Sequence, residues 1–289
     1  MQRPDAMVQT PAPRLPVLYA KALLPKGRGG AGGAVPVRGL VRTGIAADKR
    51  RLLRYAQVCG FKPGEQLPVT YPHIVAFPMS MQLMTARDFP FPMLGLVHIR
   101  NRIEQLRPIA ADERLRYEVW VNEPYEHPKG AAFEVAAQCT TTAGEVVWRE
   151  VSTYLSRGGR GGGAKGPALA AAPERDDGWS TSQWEIPGNT GRSYAAVSGD
   201  RNPIHLSPLT AKLFGFPKAI AHGMWSKARS LAELGDRLPD AYAVDVSFKA
   251  PILLPASVAF SSGPVRDGGL GFRLESRGRE HLWGSVGEV

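Results

Sequence analysis

One arrangement of apolar residues occurs twice along the chain, and it limits the folds that the chain can adopt. In each half, three apolar residues are spaced i, i+4 and i+7, which is the spacing of one face of an amphipathic helix. These residues are Phe77, Met81 and Met84 in the first half, and Met224, Ala228 and Leu231 in the second. The sequence therefore predicts one buried helix in each half, beginning near residues 76–79 and near residues 221–224.

Alternating apolar residues follow each predicted helix. Alternation with a period of two is typical of an antiparallel strand that has one buried face. It covers residues 97–103, 115–121, 133–139 and 146–154 in the first half, and residues 242–248, 258–260, 270–274 and 282–286 in the second. Each half is thus predicted to form a helix followed by an antiparallel sheet.

The two halves can also be matched in register. A Pro-Ile dipeptide, at residues 108–109 and 251–252, lies 29 residues after Met79 in the first half and 27 residues after Met224 in the second. We interpret this agreement as a diverged internal duplication. A repeated helix and sheet favour a two-layer α+β fold, in which one antiparallel sheet wraps around each central helix.

Glycine-rich stretches divide the chain into segments. Gly-rich chain has much entropy to lose and little surface to bury, so the start of the chain, through residues 27–33, and the stretch that follows Arg157 are predicted to be flexible. The predicted division is an N-terminal extension at residues 1–45, a first domain at 46–156, a linker at 157–178 and a second domain at 179–289.

Composition and charge exclude several classes of protein. Two distant cysteines, Cys59 and Cys139, support neither a disulfide scaffold nor a cysteine-rich zinc site. Pro16 and Lys21 interrupt the apolar stretch near the N-terminus, which is too short to span a membrane, and no convincing signal peptide precedes it. We therefore expect a cytoplasmic protein that does not bind membranes.

The stretch of residues 194–205, Tyr-Ala-Ala-Val-Ser-Gly-Asp-Arg-Asn-Pro-Ile-His, is the most informative part of the sequence. A short helix is predicted to end at residues 198–199, and Asn202 before a proline disfavours the helical conformation. Asp200 and His205 therefore lie on one irregular loop, where a carboxylate and an imidazole can together hold and deprotonate water. The alternative is that Asp200 caps the next segment and His205 is a structural loop histidine.

This stretch resembles the signature of the R-specific enoyl-CoA hydratases, the MaoC-like dehydratases of the hot-dog fold. In that family an aromatic residue, here Tyr194, precedes Ser-Gly-Asp-x-Asn-Pro-x-His, here residues 198–205, and Ala211 also matches. The resemblance implies a double hot-dog fold and a hydro-lyase of fatty-acid metabolism. Such an enzyme reversibly adds water to a trans-2-enoyl thioester and produces the R-3-hydroxyacyl thioester.

The resemblance also implies roles for particular residues. Asp200 and His205 would be the catalytic acid–base pair, and the N–H of Gly223, at the start of the second helix, would bind the thioester oxygen as it gains negative charge. The residues assigned to substrate binding are Ser198, Asn202, His222 and Met224. His222 could also be a second catalytic histidine, but its place at a helix start favours a structural or capping role.

The first half is expected to be inactive. Its matched position is Phe77-Pro78-Met79 in place of His222-Gly223-Met224, and proline has no N–H to donate. It also contains no Asp-x-Asn-Pro-x-His string. We expect this degenerate half to hold the acyl tail of the substrate.

Neither a metal nor a cofactor is predicted, because no third ligand stands near Asp200 and His205 along the chain. The expected partner is an acyl-CoA or acyl carrier protein thioester. A net charge of +10 would steer such a substrate, and the candidate cations are Arg201, Lys212, Lys218, Lys227 and Arg229. Two hot-dog units in one chain permit either a monomer with an internal pseudo-dimer or a homodimer.

Three alternatives remain open from the sequence. A hot-dog thioesterase would direct water to the carbonyl carbon, although the Asp-x-Asn-Pro-x-His string argues against it. A non-catalytic protein could bind acyl thioesters. The Arg-Gly-Gly-Arg-Gly-Gly-Gly run at residues 157–163 could instead contact nucleic acid, but one short run without interleaved aromatic residues favours a connector, so we expect no nucleic-acid partner.

Overall fold

The computed structural model describes residues 3–23, 35, 38–93, 95–159, 163–167, 171–175, 177–266 and 268–289. The α-helices in these ranges are α1 Leu15–Leu23, α2 Lys49–Cys59, α3 Tyr71–Met84, α4 Thr190–Ser198, α5 Pro208–Lys212 and α6 Gly223–Leu234. The strands are β1 Met7–Gln9, β2 Gly39–Ile45, β3 Val97–Gln105, β4 Leu115–Val121, β5 Tyr125–His127, β6 Gly130–Thr140, β7 Val146–Arg157, β8 Ser180–Ile186, β9 Tyr242–Phe248, β10 Ala256–Pro264, β11 Leu270–Ser276 and β12 Arg279–Gly287. None of these helices is long and apolar enough to cross a membrane.

The chain divides into two compact units. Unit 1 comprises Met1–Ala46, Pro72–Asn101 and Asp112–Leu169, and unit 2 comprises Ala47–Tyr71, Arg102–Ala111 and Ala170–Val289. Two short segments from the first half of the sequence thus belong to the unit formed by the second half. The four-part division by chain order remains a prediction.

The strands of unit 1 follow the order β1-β2-β4-β6-β7-β3, and β3 belongs to this unit through Asn101. The pairs β2/β4, β4/β6 and β6/β7 are antiparallel, as the alternating pattern predicts, and β1 runs parallel to β2. The predicted helix face also forms, because Phe77 and Met81 of α3 are buried in a cluster with Leu18 of α1. The four strands predicted for the first half are confirmed.

Unit 2 repeats this arrangement with the strand order β9-β12-β11-β10-β8, all antiparallel. Helix α6 begins at Gly223, as predicted, and its apolar residues Met224, Ala228 and Leu231 are buried. Lys227 is also fully buried on this helix, and its Nζ donates to the carbonyl of Val244 in β9. The expectation that Lys227 is a surface cation near the active-site loop was therefore wrong.

Helix α2 is an element that the sequence reasoning missed. Its signals are present: Asp48 caps the first turn by accepting from the Arg51 N–H, and Gly60 ends the helix in the left-handed conformation at φ 82°. Its buried residues are spaced i, i+3, i+4 and i+7, and they are Leu52, Tyr55, Ala56 and Cys59. In unit 2 this helix packs on α4 and α6.

The predicted flexibility of the start of the chain was wrong for the described residues there. Residues 7–9 form β1 and residues 15–23 form α1, whose Leu18 is buried. The Gly-rich run at 27–33 lies outside the described residues, and so do residues 160–162, 168–170 and 176 of the predicted linker. Within that linker, the carbonyl of Ala164 accepts from the N–H of Glu126.

The start of α3 differs from the prediction. This helix begins at Tyr71, so Pro78 lies inside it and does not begin it. The proline in its first turn is Pro72, and the register matching Phe77-Pro78-Met79 to residues 222–224 was wrong. The reason is that amphipathic spacing identifies a helix face but repeats along the helix, so it does not locate the first turn.

Main-chain pairing supplies the correct register. In the first half, Leu67 N–H bonds to Ile109 at 2.8 Å and Ala111 N–H bonds to Glu65 at 2.8 Å. In the second half, the Ala221 N–H donates to the Ile252 carbonyl at 3.0 Å, and the Leu254 N–H donates to the Ala219 carbonyl at 2.8 Å. The predicted correspondence of the two Pro-Ile dipeptides is therefore confirmed. Helix α3 begins four residues after Leu67, and α6 begins two residues after residue 221.

Candidate active site

The loop that carries Asp200 begins where α4 ends. Gly199 adopts φ 85°, a left-handed conformation that ends the helix and that other residues rarely adopt. The Ser198 hydroxyl donates to the Tyr194 carbonyl at 2.8 Å and accepts from the Asp200 N–H at 3.1 Å. Ser198 therefore joins the last turn of α4 to the start of the loop, and this structural role is additional to its predicted contact with substrate.

Arg51 of α2 stabilises the same helix end. Its Nε donates to the Val197 carbonyl at 2.7 Å, and its Nη2 donates to the Ser198 carbonyl at 3.0 Å. The last carbonyls of a helix have no partners within the helix, and a cation there also interacts favourably with the helix dipole. Sequence reasoning missed Arg51 because it lies almost 150 residues before the loop.

A tight turn carries the chain from Asp200 to His205. Asp200 Oδ1 accepts from the Asn202 N–H at 3.1 Å, and the Asn202 side chain accepts from the Ile204 N–H at the start of a 3-10 turn over Pro203–His205. Asn202 therefore has a structural contact in addition to its predicted contact with substrate.

Gly191 allows this turn to pack closely against α4. A Cβ atom at this position would lie 2.1 Å from the His205 carbonyl oxygen, a separation that atoms do not tolerate. Only a residue without a side chain fits here. No sequence signal distinguishes Gly191 from an ordinary helical glycine, because the close contact arises from folding.

His205 is held in one tautomer. Its Nδ1 lies 2.8 Å from the carbonyl oxygen of Ile220, and only a protonated nitrogen can bond to a carbonyl. Nδ1 therefore carries the hydrogen, and Nε2 carries a free lone pair. The residue is 8% exposed, so the base lies in a nearly dry environment.

His222 lies directly against His205. The ring centroids are 3.6 Å apart and the planes differ by 23°, so the two imidazoles are stacked. His222 Nε2 lies 2.9 Å from the main-chain oxygen of Asp200 and therefore donates to it. Its Nδ1 is buried and has no partner among the described residues. The sequence assigned this 2% exposed residue to substrate binding, but the structure shows it in contact with both catalytic candidates.

Burial lowers the pKa of both histidines. For His205 this effect exceeds the opposing attraction of the Asp200 carboxylate. For His222, burial together with the neighbouring His205 lowers the pKa to about 3. Both rings are therefore neutral near pH 7, and His205 can accept a proton there.

The reasoning that no third metal ligand exists was wrong. Folding brings His222 to Asp200 and His205, and one possible ligand atom of each lies within 4.8 Å of the others. However, an imidazole binds a metal along a lone pair in its ring plane, and the planes of two stacked rings are nearly parallel and do not converge on one ion. His222 Nε2 is also occupied by the Asp200 carbonyl. The trio is better arranged for proton transfer than for holding an ion.

The N-terminus of α6 follows directly after His222. The first N–H groups of a helix have no partner within the helix, and the His222 side chain does not cap them. A Cβ at Gly223 would approach the Phe248 ring to 3.1 Å, so glycine also relieves crowding here. Met224, which the sequence assigned to substrate binding, is 5% exposed at the same helix start.

An antiparallel sheet with a buried helix, and an Asp–His loop beside the start of that helix, define a dehydratase of the hot-dog type. Residues 180–267 match the model of the MaoC like domain family. The 3-hydroxyacyl-thioester dehydratase X of Mycobacterium tuberculosis is 36% identical over 256 residues, which are 87% of this chain and 90% of that protein. The chain belongs to the MaoC-like dehydratase family.

Two further comparisons agree with this assignment. The crystal structure of HtdX of Mycobacterium tuberculosis matches with a TM-score of 0.75 and 34% identity, over 87% of this chain and 100% of that chain. The enoyl-CoA hydratase ChsH3 of the same organism is 26% identical over 175 residues, 58% of this chain and 60% of that protein. The predicted α+β hot-dog fold class and the family resemblance are both confirmed.

Proposed function

We propose that the chain is a hydro-lyase of fatty-acid metabolism that reversibly adds water to trans-2-enoyl thioesters and yields R-3-hydroxyacyl thioesters. The observation that carries the proposal is the separation of Asp200 and His205. A carboxylate oxygen and a ring nitrogen lie within 4.8 Å, and one water that bonds to both at about 2.8 Å spans this distance. The names of the two Mycobacterium tuberculosis relatives support the same chemistry.

In this proposal Asp200 orients the water molecule and His205 removes its proton. The Asp200 carboxylate, whose side chain is 29% exposed, accepts a hydrogen bond from the water and orients it. His205 Nε2, with its lone pair free, accepts a proton as the water oxygen bonds to C3 of the enoyl group. The proton then passes to C2 on the same face, which completes a syn addition. Dehydration follows the same steps in reverse.

Gly223 is the proposed donor to the thioester oxygen. When water bonds to C3, the electron pair of the double bond moves towards the carbonyl and leaves negative charge on its oxygen. An N–H at the start of α6, supported by the helix dipole, stabilises this charge. Because the donor is a main-chain group, side-chain substitutions that preserve the N–H should retain this interaction.

The assembly and the location of the enzyme are part of the same proposal. We place it in the cytoplasm, as a monomer with an internal pseudo-dimer or as a homodimer. Its first half is proposed to hold the acyl tail. Light scattering of the purified chain distinguishes the two assemblies.

The test uses crotonyl-CoA and a longer trans-2-enoyl-CoA, with loss of enoyl absorbance and the stereochemistry of the product as readouts. Asp200→Asn should lower turnover by about 10²–10⁴-fold, while circular dichroism and the melting temperature stay near those of the wild type. R-3-hydroxyacyl product that disappears in the variant supports the proposal. Near-normal turnover in Asp200→Asn, or release of free CoA without hydration, contradicts it.

A further inference from the structure

The loop that follows the active-site turn exposes apolar side chains. In the described residues, Leu209 and Leu213 are the two most exposed large apolar side chains, at 76% and 79%, and the neighbouring Phe214 is 37% exposed. Leu209 lies on α5 and the other two lie directly after it. We call Leu209, Leu213 and Phe214 the apolar patch. An exposed cluster of this kind marks a binding surface more often than a single exposed leucine does.

The apolar patch is anchored to the turn that carries His205. The Thr210 hydroxyl donates to the Pro203 carbonyl at 2.7 Å, and Ala211 is the fully buried residue of α5. The loop ends at Ile220, whose N–H bonds to Ile204 and whose carbonyl accepts from His205 Nδ1. The loop starts directly after His205 in the chain, and its last residue, Ile220, bonds to the His205 side chain. A partner bound to the apolar patch would therefore lie beside the active site.

The surroundings of the apolar patch are basic. Residues 201–219 contain three cations, Arg201, Lys212 and Lys218, and no Asp or Glu. All three cations are exposed. Lys212 and Lys218 make no ion pair with any residue that the structure describes. Apolar side chains bordered by lysines complement a partner that presents apolar side chains bordered by carboxylates.

We propose that this loop is the docking surface for an acidic acyl carrier protein, which delivers the thioester on its pantetheine arm. The proposal rests on the proposed function and specifies the carrier. Exposed lysines alone would suit the phosphates of coenzyme A equally well. The exposed leucines distinguish the two carriers, because only a protein offers an apolar surface large enough to cover them.

The experiment compares one trans-2-enoyl chain carried by CoA and by a purified bacterial acyl carrier protein. Leu213→Asp and Lys212→Glu are the test variants, and Leu23→Asp, on a leucine that is 68% exposed in α1, is the matched control. For the carrier-protein substrate, each test variant should raise KM and lower kcat/KM by about tenfold. With the CoA substrate, Leu213→Asp and the control Leu23→Asp should both stay within about twofold of the wild type, because neither changes a cation that could contact the CoA phosphates.

Each outcome decides a different claim. Wild-type protein that hydrates neither thioester contradicts the proposed function itself. Wild-type protein that hydrates the CoA thioester, with test variants that lose no more activity on the carrier protein than the control does, contradicts the docking proposal alone. If sedimentation shows that Leu213→Asp converts a dimer into a monomer without a selective loss on the carrier protein, the patch binds a second copy of the chain and the proposal is also wrong.

Discussion

Histidine and a carboxylate lie near the start of each of the two central helices, but their surroundings differ. At α6, His205 and His222 stack, and the Asp200 side chain is 29% exposed. Near the start of α3, His73 Nδ1 lies 2.7 Å from Glu150, whose side chain is only 4% exposed.

The surroundings of Glu150 explain the difference. Its Oε1 also accepts from the Asn101 amide and from the Ser152 hydroxyl, so a buried network surrounds the carboxylate. Helix α3 carries Pro72 in its first turn, where α6 begins with Gly223. We predict that a histidine beside a carboxylate is not sufficient for hydration. By this prediction the site also needs a carboxylate that water can reach and an open N–H at the helix start.

Matched substitutions of the two histidines test this comparison with the largest expected effect. His205→Ala should lower turnover by about 10²–10⁴-fold, because it removes the proposed base. His73→Ala should leave turnover near that of the wild type and lower the free energy of unfolding by about 1–3 kcal/mol, because it removes a partner of a buried carboxylate. Steady-state kinetics and urea denaturation measure the two effects. A large loss of turnover in His73→Ala would show that the first half takes part in the chemistry.

The helix starts can be tested next. Gly223→Pro removes the proposed oxyanion donor and should lower kcat by about 10²–10³-fold. Gly223→Ala keeps the N–H and is the control, although its Cβ would approach Phe248 closely. Circular dichroism must show that α6 persists in both variants.

Pro72→Ala is the reciprocal change at the start of α3. It adds an N–H to that helix start, but it should add no activity, because no Asp-x-Asn-Pro-x-His loop accompanies it. Equal turnover in Gly223→Pro and Gly223→Ala would remove Gly223 from the mechanism.

The last prediction concerns the dependence of stability on pH. Unfolded histidine has a pKa near 6.5, whereas burial lowers that of His205 and lowers that of His222 to about 3. Between about pH 3 and pH 6.5 the unfolded state binds more protons, so stability should fall as the pH falls through this window. Melting temperatures at several pH values measure the slope, and His222→Gln should reduce it. An unchanged slope in that variant would mean that other groups cause it.

The repeating parts of the fold could be predicted because their signals are local. Alternation with a period of two located the strands, including β9 and β12, and the Pro-Ile dipeptides aligned the two halves. The start of α3 was misplaced, since helical spacing identifies a face and not an end. Helix α2 could have been found from Asp48, Gly60 and the spacing between them.

The candidate site likewise contains residues that the sequence indicated and residues that only the structure revealed. The Asp-x-Asn-Pro-x-His string lies within one loop, so the sequence itself indicated Asp200 and His205. His222, Arg51 and Gly191 act on that loop from other elements, through a ring stack, two hydrogen bonds and a close approach to the main chain. No spacing along the chain encodes these contacts.

The sequence by itself determined the family, the pattern of elements and the loop that carries the Asp–His pair, because each depends on residues close together in the chain. The tertiary structure alone decided the state of that pair. His205 is neutral with Nε2 free because a carbonyl 15 residues away holds Nδ1 and because burial removes both histidine rings from bulk solvent. Burial and tautomer depend on what surrounds a residue in space, and for this reason only folding sets them.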